Sequence, residues 1–330
     1  MSEDSFRTVV PVAPADSRIR YQDGVVFLGS CFTEHIGQRM ERFKFQVNLN
    51  PFGILFQPLA VARALDRIIA QQPYTAEELL HHNEKWISLD HHGKFSGADQ
   101  NIVLQRINAS IHQAHDALRG ARYLMLTLGT AWAYTYRETG KTVANCHKIP
   151  NNAFEKNLLH GPAIQEALEA VLQQLAVLNP GLQVVFTVSP VRHWKDGAVE
   201  NQRSKAILLS TVHQLVDQFP QVHYFPAYEI MMDDLRDYRF YASDLLHPND
   251  VAIDYIWNRF RESWLDPDCE GPMKRVDQLR TACEHRPFDP ESNSFQRFVQ
   301  RHLDLINALE TDYPFFDLTE ERAHFQSLKL

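Results

Sequence analysis

The sequence has no long apolar run. The stretch from Tyr123 to Leu128 is typical of its longest ones, far short of the roughly 18 residues that a membrane-spanning helix needs. No membrane span is therefore expected. Cysteines are few: positions 31, 146, 269 and 283, with no C-x-x-C spacing, so the four are read as thiols rather than as a disulfide framework. Positive charge is not in excess either. The 33 Lys and Arg stand against 41 Asp and Glu, for a formal net charge of -8, the wrong sign for a chain whose task is to neutralise nucleic-acid phosphates. The first residues carry two acids and no apolar stretch behind them, unlike a secretory signal, and the expected location is the cytoplasm. Low-complexity tracts and internal repeats are also missing.

What is present is ordinary globular composition, 44% hydrophobic and 22% charged over 330 residues, which excludes wholesale disorder. Sixteen histidines, with adjacent pairs at His81-His82 and His91-His92, raise the question of a metal. Adjacent histidines rarely share one ion without strain, and no nearby carboxylate or cysteine completes a ligand set. No metal and no cofactor are expected.

Residues 1 to 20 show no periodic pattern and read as an arm laid over the surface. Gly24 to Gly29 reads as a buried parallel strand, and a helix to Phe43 follows with Thr33 as its cap. Further strands are expected at Phe45 to Leu49, Arg122 to Leu128, Leu182 to Val188 and Val222 to Phe225. Helices are expected at Pro58 to Ala70, Ile102 to Leu118, Ala163 to Leu178, Ser204 to Phe219 and from Pro248 to Trp264. Tyr134 to Val143 reads as a β-hairpin around Glu138-Thr139-Gly140-Lys141. This alternation predicts a three-layer α/β/α sandwich on a parallel sheet, flavodoxin-like in plan, over residues 21 to 266. After Pro267 the alternation stops, and 267 to 330 read as a helical extension.

Sites in an open parallel sheet form at the carboxyl ends of the strands. Four stretches fall there: Gly29-Ser30-Cys31-Phe32, Gly129-Thr130-Ala131-Trp132, Ser189 to His193, and Ser243 to Pro248. Ser30 precedes a helix, where the dipole favours an oxygen nucleophile whose attack creates an oxyanion; the competing reading is a serine that only caps the helix. Cys31 is a rival nucleophile, read as a small buried thiol. Asp244, three residues before His247, can orient the imidazole so that its other nitrogen takes the serine proton.

An early Gly-Ser block and a late Asp-x-x-His together resemble the SGNH (GDSL-like) hydrolases. The chain is similar in more detail to the GSCFA domain family, whose naming block is here Gly29-Ser30-Cys31-Phe32-Thr33, with threonine in place of the usual alanine. Asn50-Pro51-Phe52-Gly53, His91-His92-Gly93, Leu128-Gly129-Thr130, Cys146-His147-Lys148, Ser189 to His193 and Leu235 to Tyr241 also look like the family, and the likeness runs from about residue 20 to 265. It implies Ser30 as nucleophile, His247 as base and then acid, and Asp244 as its orienting group. It also implies an oxyanion hole from the amides of Ser30 and Gly53 and a third donor. Gly129 and Thr130 occupy the third position without the family's asparagine, and Asn145 or His147, returning from the hairpin, are the candidate replacements. Arg192 and His193 are candidates for a polar or anionic part of the substrate, and Trp132 offers an aromatic face either to the core or to a substrate. The expected activity is hydrolysis of a short-chain ester, such as an acetyl group on a carbohydrate or small metabolite. The alternatives are acyl transfer to an alcohol, or a binding protein that keeps the fold.

Overall fold

The computed structural model describes residues 8–330. The first seven residues of the expected arm, and with them the reading of the N-terminus, lie outside the described residues. β1 (Gly24–Gly29) is uncharged and buried along almost its whole length, as a strand covered on both faces must be. α1 (Cys31–Arg42) starts two residues later. Its cap is Ser30, not Thr33, because the chain is already helical at Cys31; Ser30 has extended dihedrals and makes no side-chain capping bond. β2 (Val47–Leu49) and α2 (Pro58–Ile69) follow, the latter with proline in its first turn and the Gln57 side chain accepting from Leu59 N. A small hairpin, β3 (Leu80–His82) and β4 (Lys85–Ile87), precedes α3 (Gln100–Gly120) and β5 (Ala121–Leu128).

The expected hairpin is β6 (Trp132–Tyr136) with β7 (Lys141–Val143), and β8 (Phe154–Leu158) joins it on the other side of β6. Next come α4 (Gly161–Leu178), β9 (Gln183–Val188), α5 (Gly197–Gln218) and β10 (Val222–Tyr224). A short turn of helix, α6 (Ala227–Glu229), widens at Ile230–Asp234 and leads to α7 (Asp250–Trp264). α7 is capped by the Asn249 side chain and starts two residues after Pro248, which instead bridges to Tyr241. The chain ends in α8 (Glu270–Glu284), α9 (Asn293–Asp312) and α10 (Thr319–Ser327).

The central sheet has the order β10-β9-β5-β1-β2, every pair parallel. Alternate residues divide its two faces. Val26, Leu28, Leu124, Leu126 and Phe186 face α2, α3, α4 and α5, while Val25, Phe27, Met125 and Val185 face α1, α7 and the C-terminal helices. The molecule is thus a three-layer α/β/α sandwich, and the last three helices share a core with α1 and α7. The described part of the arm is tied to α7 through Ala15 N to Ser263 O and Ile19 N to Trp264 O. Among the described residues no helix is long and apolar enough to cross a membrane.

Candidate functional site

With β1 flanked by β2 and β5, the chain reverses its direction of winding between β1 and β5, and the crevice beyond their carboxyl ends is where such sheets bind ligands. Ser30 and Gly129 stand at that point. The turn after β1 is rigidly built. Gly29 has φ +146°, and a Cβ there would lie 2.2 Å from Thr127 O, so only glycine lets β1 approach β5. Gly29 N donates to the buried Asn50 Oδ1 at 3.0 Å, and Leu55 N donates to Gly29 O at 2.8 Å. Asn50 adopts φ +46°, a conformation asparagine tolerates better than most residues.

Ser30 is fully buried, and its Oγ has no hydrogen-bond partner. The hydroxyl therefore does not cap the helix. Burial pushes the neighbouring Cys31 thiol up from its ordinary range, which keeps it protonated and makes it the poorer nucleophile.

Asp244 and His247 are brought together: Nδ1 of His247 lies 2.6 Å from Asp244 Oδ2, with both side chains about half exposed. Asp244 Oδ1 also accepts from the amides of His247 and Leu246, at 3.0 and 2.9 Å. These amide bonds, then the imidazole, hold its carboxyl down to about 2. His247 is close enough that its charge is felt at His35 on α1 and at His193 after β9. No hydrogen bond links it to Ser30 Oγ in this arrangement.

The expected oxyanion amides all have backbone acceptors. Ser30 N donates to Thr127 O (3.1 Å), Gly53 N to Asn50 O (2.7 Å), and Gly129 N and Thr130 N to Phe56 O (2.7 and 3.0 Å). Asn145 and His147 do not turn toward Ser30. Asn145 Oδ1 accepts from His147 N, and His147 Nε2 lies 2.8 and 3.0 Å from the carbonyls of Ser88 and His91, so the pair ties down the 88–91 loop. Trp132 opens β6, half-buried, with the Lys156 ammonium 4.6 Å over its ring.

His193 and Arg192 do lie at the strand ends. Burial, then the nearby Lys205, pushes His193 down to about 4, and a Cβ on Gly129 would sit 3.2 Å from its Nε2. Arg192 lays its guanidinium 4.6 Å over Trp194, with Nε buried and unpartnered. Of the paired histidines, His81 and His82 form β3, while His91 is buried and stacked 4.3 Å from Phe52. His92 closes against Gly53, where a Cβ would lie 2.3 Å from His92 Cβ. Among the described residues no three His, Cys, Asp or Glu side chains converge as metal ligands.

Three polar residues not singled out from sequence also sit here. Lys205 is fully buried and donates to Gly129 O and Ser189 O; Asn201 Oδ1 accepts from His193 N; Gln57 keeps Nε2 buried without a partner beside Phe56. Lys205 falls in step with Leu208, Val212 and Leu215 along α5, a spacing that marks it as inward-facing.

A three-layer α/β/α fold with a serine and an Asp-His pair on loops at one edge of its parallel sheet defines the class. The family follows from comparison: residues 24–260 match the GSCFA family and residues 276–328 match the C-terminal domain of GSCFA domain proteins, and the chain belongs to the GSCFA family. No curated protein matches it. Among solved structures it is similar to a protein from Streptococcus pneumonia described as a candidate platelet activating factor, at 13% identity and TM-score 0.38, covering 73% of this chain and 83% of that one. It is also similar to a family 3 carbohydrate esterase from Clostridium thermocellum (9% identity, TM-score 0.34, 78% and 96% covered) and to one from Talaromyces cellulolyticus (11%, 0.36, 76% and 97%).

Proposed function

We propose that the protein is a serine esterase of the SGNH type, hydrolysing a short-chain ester such as an acetyl group on a carbohydrate or small metabolite. One observation carries this reading: an unpaired serine hydroxyl stands at the winding reversal of the sheet, and His247, paired with Asp244 at 2.6 Å, lies near enough to act on His35 of α1 and on His193 after β9. Ser30 attacks the ester carbonyl, His247 Nε2 takes its proton, and Asp244 stabilises the imidazolium; an acyl-enzyme forms and water releases the acid as His247 returns the proton. The apo hydrogen bond between base and nucleophile is commonly loose and closes with substrate. Because the backbone amides have acceptors, side-chain donors such as Gln57 Nε2 supply the stabilisation of the oxyanion in this reading. The catalytic unit spans 21–266, and 267–330 braces its α1 and α7 face.

The same committed amides, together with the enclosure of Ser30, favour the second reading, a binding protein that keeps the fold. Labelling with a fluorophosphonate separates the two. An activated Ser30 is trapped covalently, mapped by peptide mass, and lost in Ser30→Ala together with hydrolysis of an aryl acetate. An unlabelled, correctly folded chain would sink the esterase reading, and turnover that survives Ser30→Ala would move the nucleophile elsewhere.

A further inference from the structure

The strand ends hold a second group of side chains that the nucleophile and its base do not use. On α5, Asn201, Ser204 and Lys205 fall at i, i+3 and i+4, one face of the helix, and all three are buried. That face meets the turns after β5 and β9. Ser204 Oγ accepts from Ala131 N at 2.7 Å, and Lys205 Nζ donates to Gly129 O at 2.7 Å and to Ser189 O at 2.6 Å. An ammonium has three donors. Beyond these two carbonyls Nζ meets only the face of the Tyr228 ring, 5.7 Å from its centroid, and among the described residues no oxygen or nitrogen acceptor takes the third N–H and no carboxylate pairs with it.

Two further donors are left over beside it. Asn201 Oδ1 accepts from His193 N at 2.9 Å, which identifies Nδ2 as the other end of the amide, and that Nδ2 is buried with no partner. Arg192 Nε is likewise buried without a partner. Carboxylates on the neighbouring segments are already engaged: Asp196 by Lys156, Asp244 by His247, Glu200 by Arg203, and Glu229 by the Tyr224 hydroxyl. Among the described residues, one corner of the site therefore has the Arg192 guanidinium, a buried lysine and unpaired donors without a counter-charge. Burial holds Lys205 down to about 7, and an anion bound beside it would favour its charged form. A neutral ester would supply acceptors but not the missing charge; a carboxylate or phosphate supplies both, with a pair of oxygens spaced to meet the fork of a guanidinium.

We infer that Arg192 and Asn201, with Lys205 behind them, form the recognition site for an anionic group, so that the substrate is an ester carrying a carboxylate or a phosphate. The substrate class rests on the esterase reading, whereas the anion site itself does not. Two matched pairs place the charge on either side of the ester: 4-nitrophenyl butyrate against mono(4-nitrophenyl) succinate, and an O-acetyl methyl glucoside against its 6-phosphate. The charged member of one pair should be preferred at least about tenfold in kcat/KM. Arg192→Met should bring that ratio close to one, and Arg192→Lys should restore part of it. Inorganic phosphate should bind the Ser30→Ala chain saturably by calorimetry, and Arg192→Met, shown folded by circular dichroism, should weaken that binding at least about fivefold. Ser30-dependent hydrolysis of the neutral esters with no charge preference, and no Arg192-dependent phosphate binding, overturns the anion site and leaves the esterase intact. Arg192-dependent phosphate binding without hydrolysis of any ester supports the anion site and removes the esterase instead.

Discussion

His91 should make the protein acid-labile, and by a measurable amount. Its ring is fully buried, stacked on Phe52 at 4.3 Å and edge-on to Tyr74 and Phe95, with Nδ1 2.8 Å from Ser88 Oγ and Nε2 unpartnered. Protonation would place a charge on that buried, unpartnered nitrogen, and burial accordingly pushes His91 down from 6.5 to about 3. Between those values the unfolded chain binds more protons than the folded one, so stability is complete above about pH 6.5 and is lost as pH falls toward about 3. At about 1.4 kcal/mol per pH unit, His91 should cost about 2 kcal/mol by pH 5. His91→Phe keeps an aromatic ring in the stack and removes the titration, at about 1 kcal/mol for the lost Ser88 bond. Urea melts of both chains from pH 7.5 to 4.5 should therefore cross at about pH 6, with His91→Phe the more stable chain below it. Parallel curves would refute the reasoning, since the other buried histidines, such as His193 at about 4, are common to both chains.

Gly29→Ala should cost about 3 kcal/mol or more and abolish activity, because the new Cβ meets the backbone of Thr127 in a left-handed conformation; a near-wild-type thermal midpoint would contradict that packing. Asp244→Asn should lower kcat on an aryl acetate about 100-fold or more with little change in melting, since both partners are half exposed; unchanged kcat would remove Asp244 from the mechanism. Lys205 has its folded value lowered from 10.5 to about 7, so it should make wild-type stability climb between about pH 7 and 10, and Lys205→Met should flatten that climb. Equal slopes in denaturant melts would show that the ammonium is not buried as described.

How much of this was legible beforehand follows from what each residue does to a pattern. The three inner strands β1, β5 and β9 are largely apolar runs ending at glycine or polar turns, and a strand buried on both faces can hardly look otherwise. The start of α5 was not legible: Gly197 and the polar run Glu200-Asn201-Gln202-Arg203 read as loop, although the helix begins at Gly197. Lys205 is hard to read because a lysine on a helix is normally solvated, and only its phase with Leu208 and Val212 marks it as buried. β3 and β4 are short and polar, and their turn uses Asn83 and Glu84 at φ +48° and +60° without the expected glycine. Chain order puts Asn145 and His147 near the serine, but the Asn145 side chain accepts from the His147 amide and the His147 ring lies against the carbonyls of Ser88 and His91.

The two halves of the proposed site differ in stiffness, and that difference bears on how it works. Ser30 is held by the Gly29 contact, by Asn50 and by the parallel ladder to β5, none of which can shift without opening the sheet. The turn that carries Asp244 and His247 is closed by two backbone bonds, Ala242 N to His247 O and Leu245 N to Ala242 O, and flanked by a single bridge from Tyr241 to Pro248. Within it Leu245, a branched residue, takes φ +60° with its side chain about half exposed, a conformation that costs about 1 kcal/mol or more and persists where the surroundings enforce it. A fully enclosed nucleophile cannot receive an ester until something moves, and the strained, exposed turn costs less to move than the sheet edge. In the proposed mechanism substrate entry would move this turn and bring His247 over Ser30, while the sheet-bound half fixes where the carbonyl lies.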